Sequence, residues 1–406
     1  MLEHWIWLAR LPQLHTWQKI SLLQHFHDPE ELYNASLSAL SQLPSELVTL
    51  LQNKDLTQAR AILRACREKN IQLVTLQDSA YPRRLRNTAD APLILYYKGR
   101  LPDWDAQPVI GIVGTRKASP YGLSVAKRLS SQISVCGGLV VSGGAAGIDT
   151  LALQGALACD KKTVAILACG LDRVYPKSNA PLFDRILEDG CLLSEYPPGE
   201  QPMRWHFPER NRIISGVSNG VLIVEAPHGS GALITAGKAL EQGRDVFAVP
   251  GNIDVPACAG SNALLQGQAS PVLTGWDVMK EYAPLYPETV ARREPPAEVF
   301  PMQPKETSPA PKTPKSNPSP QPSGKLPIDN ETKSPYSGIN NPQPALTIEE
   351  KAVLALLNTQ PVPVDTIIAQ ADIAPNRVLS VLTMLAVKGV VKNHPGGLVS
   401  LAEARK

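Results

Sequence analysis

None of the six cysteines (Cys66, Cys136, Cys159, Cys169, Cys191 and Cys258) forms a Cys-x-x-Cys pair, and most sit inside apolar runs. A zinc ribbon or disulfide framework is thereby excluded, and the residues read as small buried hydrophobes of a reducing compartment. No apolar run approaches the roughly 18 residues that a membrane-spanning helix needs. The opening Met-Leu-Glu-His-Trp-Ile-Trp lacks the basic region and cleavage site of a secretory leader. The expectation is a soluble, cytoplasmic protein with no membrane partner. An excess of one charge is missing too: 40 Lys and Arg stand against 37 Asp and Glu, a net +3. A polybasic protein is excluded, so anion binding has to come from local clusters. The P-loop pattern G-x-x-x-x-G-K-[ST] is absent, and the histidines show no metal spacing. No metal and no cofactor are expected.

Proline, in contrast, is abundant, with 38 in 406 residues against an average usage of about 5%. It concentrates between Tyr286 and Gln343, where Lys312-Thr313-Pro314-Lys315-Ser316-Asn317-Pro318 is typical. With few large apolar residues this stretch cannot offset its ordering entropy and reads as a linker, or as a ligand for a proline-binding partner. It divides the chain into a helical unit over 1–75, a unit over 76–285, the linker over 286–343, and a small unit over 344–406. In the last, helices over Lys351–Leu357, Val364–Gln370 and Pro375–Val387 precede a hairpin with its turn at Pro395-Gly396-Gly397, which is a winged-helix pattern.

Between about 108 and 283, apolar runs alternate with helical segments. The runs are Pro108–Gly114, Leu139–Val141, Thr163–Cys169, Cys191–Ser194, Val221–Val224 and Asp245–Val249. Strands apolar throughout and separated by helices imply a parallel sheet covered on both faces. The predicted fold class is α/β, a doubly wound Rossmann-like domain.

Ligands of such sheets sit outside the carboxyl ends of the strands. The segments there are Gly114-Thr115-Arg116-Lys117, Ser142-Gly143-Gly144-Ala145-Ala146-Gly147, and a loop ending in Tyr175-Pro176-Lys177. The next is Arg204 to Arg212, with Trp205, His206, Phe207, Arg210 and Asn211, and the last is Glu225 to Gly231, with Gly229 and Ser230. Gly-rich loops opening helices aim backbone N–H groups at an anion. Cations interleaved with aromatics are what a single nucleic-acid strand needs. Plainer readings stand beside this one: the glycines serve turn geometry, and Trp205 and Phe207 cap the sheet. Asp149, inside the first turn of its helix, complements the helix dipole.

Taken in order, Val113-Gly114-Thr115-Arg116, Ser142-Gly143-Gly144-Ala145-Ala146-Gly147-Ile148-Asp149, Tyr175-Pro176-Lys177-x-Asn179 and Phe207-Pro208-Glu209-Arg210-Asn211-Arg212 are similar to the motifs of one family. So are Ser230-Gly231-Ala232 and Gln242-Gly243-Arg244-Asp245. The chain resembles the DNA-processing protein A (DprA, also called Smf) family over about 76–283, with flanking units where longer members carry SAM-like and winged-helix domains. The resemblance implies a non-enzymatic recombination mediator of natural transformation that binds and protects incoming single-stranded DNA and loads RecA onto it. It implies DNA contacts at Arg116, Lys177 and Arg204 and base stacking on Phe207. A homodimer is implied as well, and Leu264 and Leu265 are its candidate contacts. The chain departs from many relatives at Leu11-Pro12-Gln13-Leu14, where they carry a glycine turn. The winged unit shows few cations on its third helix and is left with either a protein or DNA as partner. The alternative is an enzyme of the nucleoside-monophosphate phosphoribohydrolase type, with Glu225 as acid or base.

Overall fold

The structure, a computed structural model, describes residues 2–41, 43–296, 348–371, 375–387, 390–394 and 398–401. Most of the proline-rich stretch, and the turn expected at Pro395-Gly396-Gly397, lie outside these. Six helices come first: α1 (Leu2–Ala9), α2 (Thr16–Phe26), α3 (Pro29–Asn34), α4 (Leu37–Leu40), α5 (Ser45–Leu51) and α6 (Thr57–Glu68). Asp28 and Ser36 cap α3 and α4 by accepting from the N–H groups of Glu31 and Ala39. Ile6, Leu8, Leu22, Phe26 and Leu32 form their core, which runs on into Tyr96, Phe183 and Leu192 against the sheet.

The sheet begins earlier than its apolar runs suggested. β1 (Gln72–Thr75), assigned by period to the helical unit, pairs antiparallel with β2 (Ile94–Gly99), and the short helix α7 (Arg83–Arg86) lies between them. The parallel strands follow as β3 (Val109–Val113), β4 (Leu139–Ser142), β5 (Thr163–Leu167), β6 (Cys191–Ser194), β7 (Gly220–Ile223) and β8 (Asp245–Ala248), with β9 (Ser270–Pro271) at the edge. The nine strands order as β1-β2-β6-β5-β4-β3-β7-β8-β9. Every residue of β3 to β7 is buried, as a sheet covered on both faces requires. The covering helices are α8 (Pro120–Val135), α9 (Ile148–Leu157), α10 (Ala180–Leu187), α11 (His206–Val217), α12 (Gly231–Glu241), α13 (Ala259–Leu264) and α14 (Gly275–Met279). Ile110, Ile112, Leu129, Ile133 and Ala152 form one core layer, and Val109, Ile213, Ile214, Val221 and Ala236 the other.

β3 pairs with β4 on one side and β7 on the other, so the strand order reverses there and opens a crevice at their carboxyl ends. The segment starting at Tyr286 is not wholly linker. Val290 is buried, the Tyr286 hydroxyl accepts from Arg84, and the Ala291 N–H donates to the Cys136 carbonyl. The chain is therefore anchored to the sheet unit for at least these residues.

The last unit holds α15 (Ile348–Leu354), α16 (Val364–Gln370), α17 (Pro375–Val387) and a three-stranded sheet of β10 (Val362–Pro363), β11 (Val391–His394) and β12 (Leu398–Leu401). Val353, Ile367, Val378, Leu382 and Leu385 close its core. This is a winged helix.

Candidate nucleic-acid interface

Where β3 and β7 part, the β3–α8 loop is held at both ends by one residue. The Thr115 N–H donates to the main-chain carbonyl of Glu225 (2.7 Å), and the Ser119 N–H donates to its carboxylate (2.8 Å). Glu225, the acid or base of the alternative reading, is 1% exposed, engaged as this bracket and not among the residues that line the cleft. Between the pinned ends Arg116 and Lys117 project into a cleft of about 1000 Å³. The opposite wall is Arg204, Phe207 and Pro208, with Tyr175 beside them, and the third is the loop Pro227 to Gly231 and the first turn of α12.

Arg116 is exposed, and its guanidinium carbon sits 4.4 Å from the centre of the Phe207 ring. Phe207 is half-buried and lies 5.7 Å from Tyr175, tilted by 58°. Lys177, exposed, is two residues along from Tyr175 and outside the cleft lining. Gly229 and Gly231 are exposed, and Ser230 caps α12 by accepting from the Ala232 N–H. A helix start with open glycines leaves its N–H groups facing the cleft.

Several expected contacts lie elsewhere. Ser142 is fully buried and donates to the Ile112 carbonyl (2.6 Å). Gly143 and Gly144 turn into the sheet end, where Arg210 donates to the Gly143 carbonyl and Asn179 to the Gly144 carbonyl. A Cβ on Gly143 would meet the Arg210 guanidinium, so this glycine serves a close approach between protein groups. From that loop and the start of α9 it is Ala145 and Asp149 that line the cleft.

The stretch from Arg204 to Arg212, expected as a segment at a strand end, is mostly the start of α11, and helical period sorts its side chains. Arg210, only 3% exposed, points at the cleft floor and donates to the carbonyls of Gly143 and Ile166. Arg212 lies on the other side, bidentate on Glu195 (2.6 and 2.7 Å) and donating to the Asp90 carbonyl. Asn211 donates to the Gly231 carbonyl (3.2 Å) and ties α11 to α12. His206 is buried and stacked on Tyr196, while Trp205 is 58% exposed outside the cleft. Leu264 is packed in the core, leaving the half-buried Leu265 as the leucine of that pair with surface to offer.

Electrostatically the cleft is cationic at its rim and mixed at its floor. Burial pushes the Asp149 carboxyl up to about 6, against the pull of Arg210, the Ala145 N–H and Arg116. Burial likewise lowers Arg210, to about 10, against the pull of Asp149, so it keeps its charge. Among the described residues, Asp149 is the carboxylate of the lining. Spacing did not single out Tyr175 or Asp149 as cleft residues, although both stood inside the motifs already noted. An aromatic two residues before an expected cation was the available signal for Tyr175. Among the described residues no helix is long and apolar enough to cross a membrane, and no cluster of His, Cys, Asp and Glu could hold a metal.

Residues 72–283 match the family described as DNA recombination-mediator protein A, and residues 340–397 match the DprA winged helix domain. The DNA processing protein DprA of Bacillus subtilis is 40% identical over 220 residues, covering 54% of this chain and 74% of that protein. The DNA processing protein DprA of Streptococcus pneumoniae is 44% identical over 212 residues, covering 51% of this chain and 73% of that protein. The X-ray structure of DprA from Streptococcus pneumoniae superposes with a TM-score of 0.61 at 35% identity, covering 69% of this chain and 98% of that one.

Proposed function

The chain belongs to the DNA recombination-mediator protein A family, and from that premise we propose that its cleft binds single-stranded DNA without catalysing a reaction. The observation that carries the reading is the Arg116 guanidinium over Phe207 at the point where β3 and β7 diverge. A cation for the backbone and a flat ring for a base stand within one side chain's length of each other, with Arg204, Tyr175 and the α12 N–H groups around them. Such a groove follows a phosphodiester strand and stacks its bases whatever their identity. Lys177 extends the cationic edge beyond the cleft.

Acting as a mediator of natural transformation, the protein protects an incoming strand and passes it to RecA. A two-fold homodimer sets two such grooves side by side, through a patch that includes Leu265. A gel shift of the full chain with single- and double-stranded DNA across a salt series tests the binding. Tighter retention of the single strand, with affinity falling as salt rises, supports it, and equal affinity for duplex refutes it. Light scattering at micromolar concentration tests the dimer. A shortened lag in RecA filament formation on coated single strands tests the hand-over.

A further inference from the structure

Helix α12 touches two different neighbours. Its first turn, Gly231, Ala232 and Thr235, lines the DNA cleft. Further along, its outer face meets α17 of the winged unit. Gly237 is a mid-helix glycine, a choice that costs about 1 kcal/mol relative to alanine. The neighbour that a Cβ there would meet within 4 Å is the Met384 sulfur of α17, at 3.4 Å. An alanine would just touch it and a longer side chain would collide, so the missing side chain serves the approach of α17. Beside this contact the Gln268 amide donates to the Thr383 hydroxyl (3.0 Å). Arg377, Lys238 and Glu241 line one shared cavity at the end of the contact.

α17 thus has two committed faces. Val378, Val381, Leu382 and Leu385 close the winged core. Thr383 and Met384 lie against the sheet unit, and the Arg377 guanidinium is bidentate on Glu349 of α15 (2.9 Å to each oxygen). In the helix-turn-helix arrangement the corresponding helix enters the major groove and needs free donors and cations for base edges and phosphates. Here its described cation is engaged within the unit, and a thioether faces a glycine. We propose that the winged unit docks through α17 on α12 of its own chain, so that its partner in the free protein is this helix and not duplex DNA. The two units are joined by one chain, so the docking is intramolecular. The proposal does not depend on what the cleft binds.

Thiol cross-linking of the full chain tests it, in a Cys159→Ser background that removes the half-exposed native thiol. Gly237→Cys with Met384→Cys, and separately Gln268→Cys with Thr383→Cys, are treated with a short bis-maleimide. Both pairs are expected to link within one chain several-fold more than a control pairing Gln268→Cys with the exposed Gln360→Cys. Two independent pairs keep the test open if one variant folds poorly. Linking no greater than the control, in protein with a native melting curve, overturns the docking. So does linking that is abolished by saturating duplex DNA, because α17 would then be a DNA-reading helix resting on α12.

Discussion

The Arg116 guanidinium lies over the face of Phe207, 4.4 Å from the ring centre, so the cation and the ring proposed to hold a strand occupy each other in the free protein. A base that stacks on that face must displace the guanidinium, and the contact given up is worth about 0.5–1 kcal/mol at an exposed site. Phe207→Ala is expected to cost about 1–3 kcal/mol of single-strand binding, less this refund. Arg116→Ala loses its phosphate contact and receives the same refund. The double variant receives it only once, so its loss should exceed the sum of the single losses by about 0.5–1 kcal/mol. Titrations of all four proteins with one oligonucleotide measure the difference. Strict additivity would mean that the guanidinium stays on the ring when DNA binds.

Lys177 and Arg204 are exposed and stand outside the core network, so their replacement isolates the phosphate contribution. Either Ala variant should weaken binding of every sequence alike and flatten the log–log salt slope by about 0.7 for each lost contact. Melting temperatures should stay with the parent protein. A weakening confined to some sequences would instead assign that side chain to a base.

How much of this was legible in the sequence depends on where each side chain's partner lies. β3 to β7 stood out because a strand buried on both faces is apolar at nearly every position. The loops carrying Arg116 and Gly229 were found for a related reason, since they follow those strands directly. α11 was hidden because its opening turns, His206 to Arg212, are aromatic and charged and read as surface. Nothing local distinguishes Arg210 from Arg204. The inward turn of Arg210 is set by the Gly143 and Ile166 carbonyls, which lie 67 and 44 residues away along the chain. Ser142 and the glycines after it were assigned to the cleft on pattern, whereas Arg210 and Asn179 draw that loop inward.

Arg210 should accordingly behave as a structural residue. Arg210→Ala takes a charged donor from the Gly143 and Ile166 carbonyls and removes the cation that pulls most on Asp149. Breaking a buried charged group away from its partners costs about 3–5 kcal/mol. Urea unfolding should show that loss, while the folded fraction keeps much of its DNA affinity. If Arg210→Ala keeps its stability and loses only DNA binding, the residue reaches the strand after all.

Asp149 gives the cleft a pH dependence whose sign follows from its burial. Its pKa in the folded protein, about 6, lies above the ordinary carboxylate value, so between those two values the folded state holds the proton more tightly than the unfolded chain. Its contribution to stability is therefore greatest in acid and is lost as pH rises through about 6. The same ionisation places a negative charge on the floor of a cleft proposed to hold phosphates. Single-strand affinity should rise as pH falls from neutrality through about 6, and bound DNA should raise the Asp149 pKa further. His228 lines the same cleft, so the comparison is made with His228→Gln in both proteins. Against that background Asp149→Asn should bind more tightly at neutral pH and lose the dependence. It should also be stabilised most at neutral pH, where the parent carries a buried charge, and least in acid. An affinity profile that keeps its slope in Asp149→Asn would move the titration to another group and remove Asp149 from the field felt by the strand.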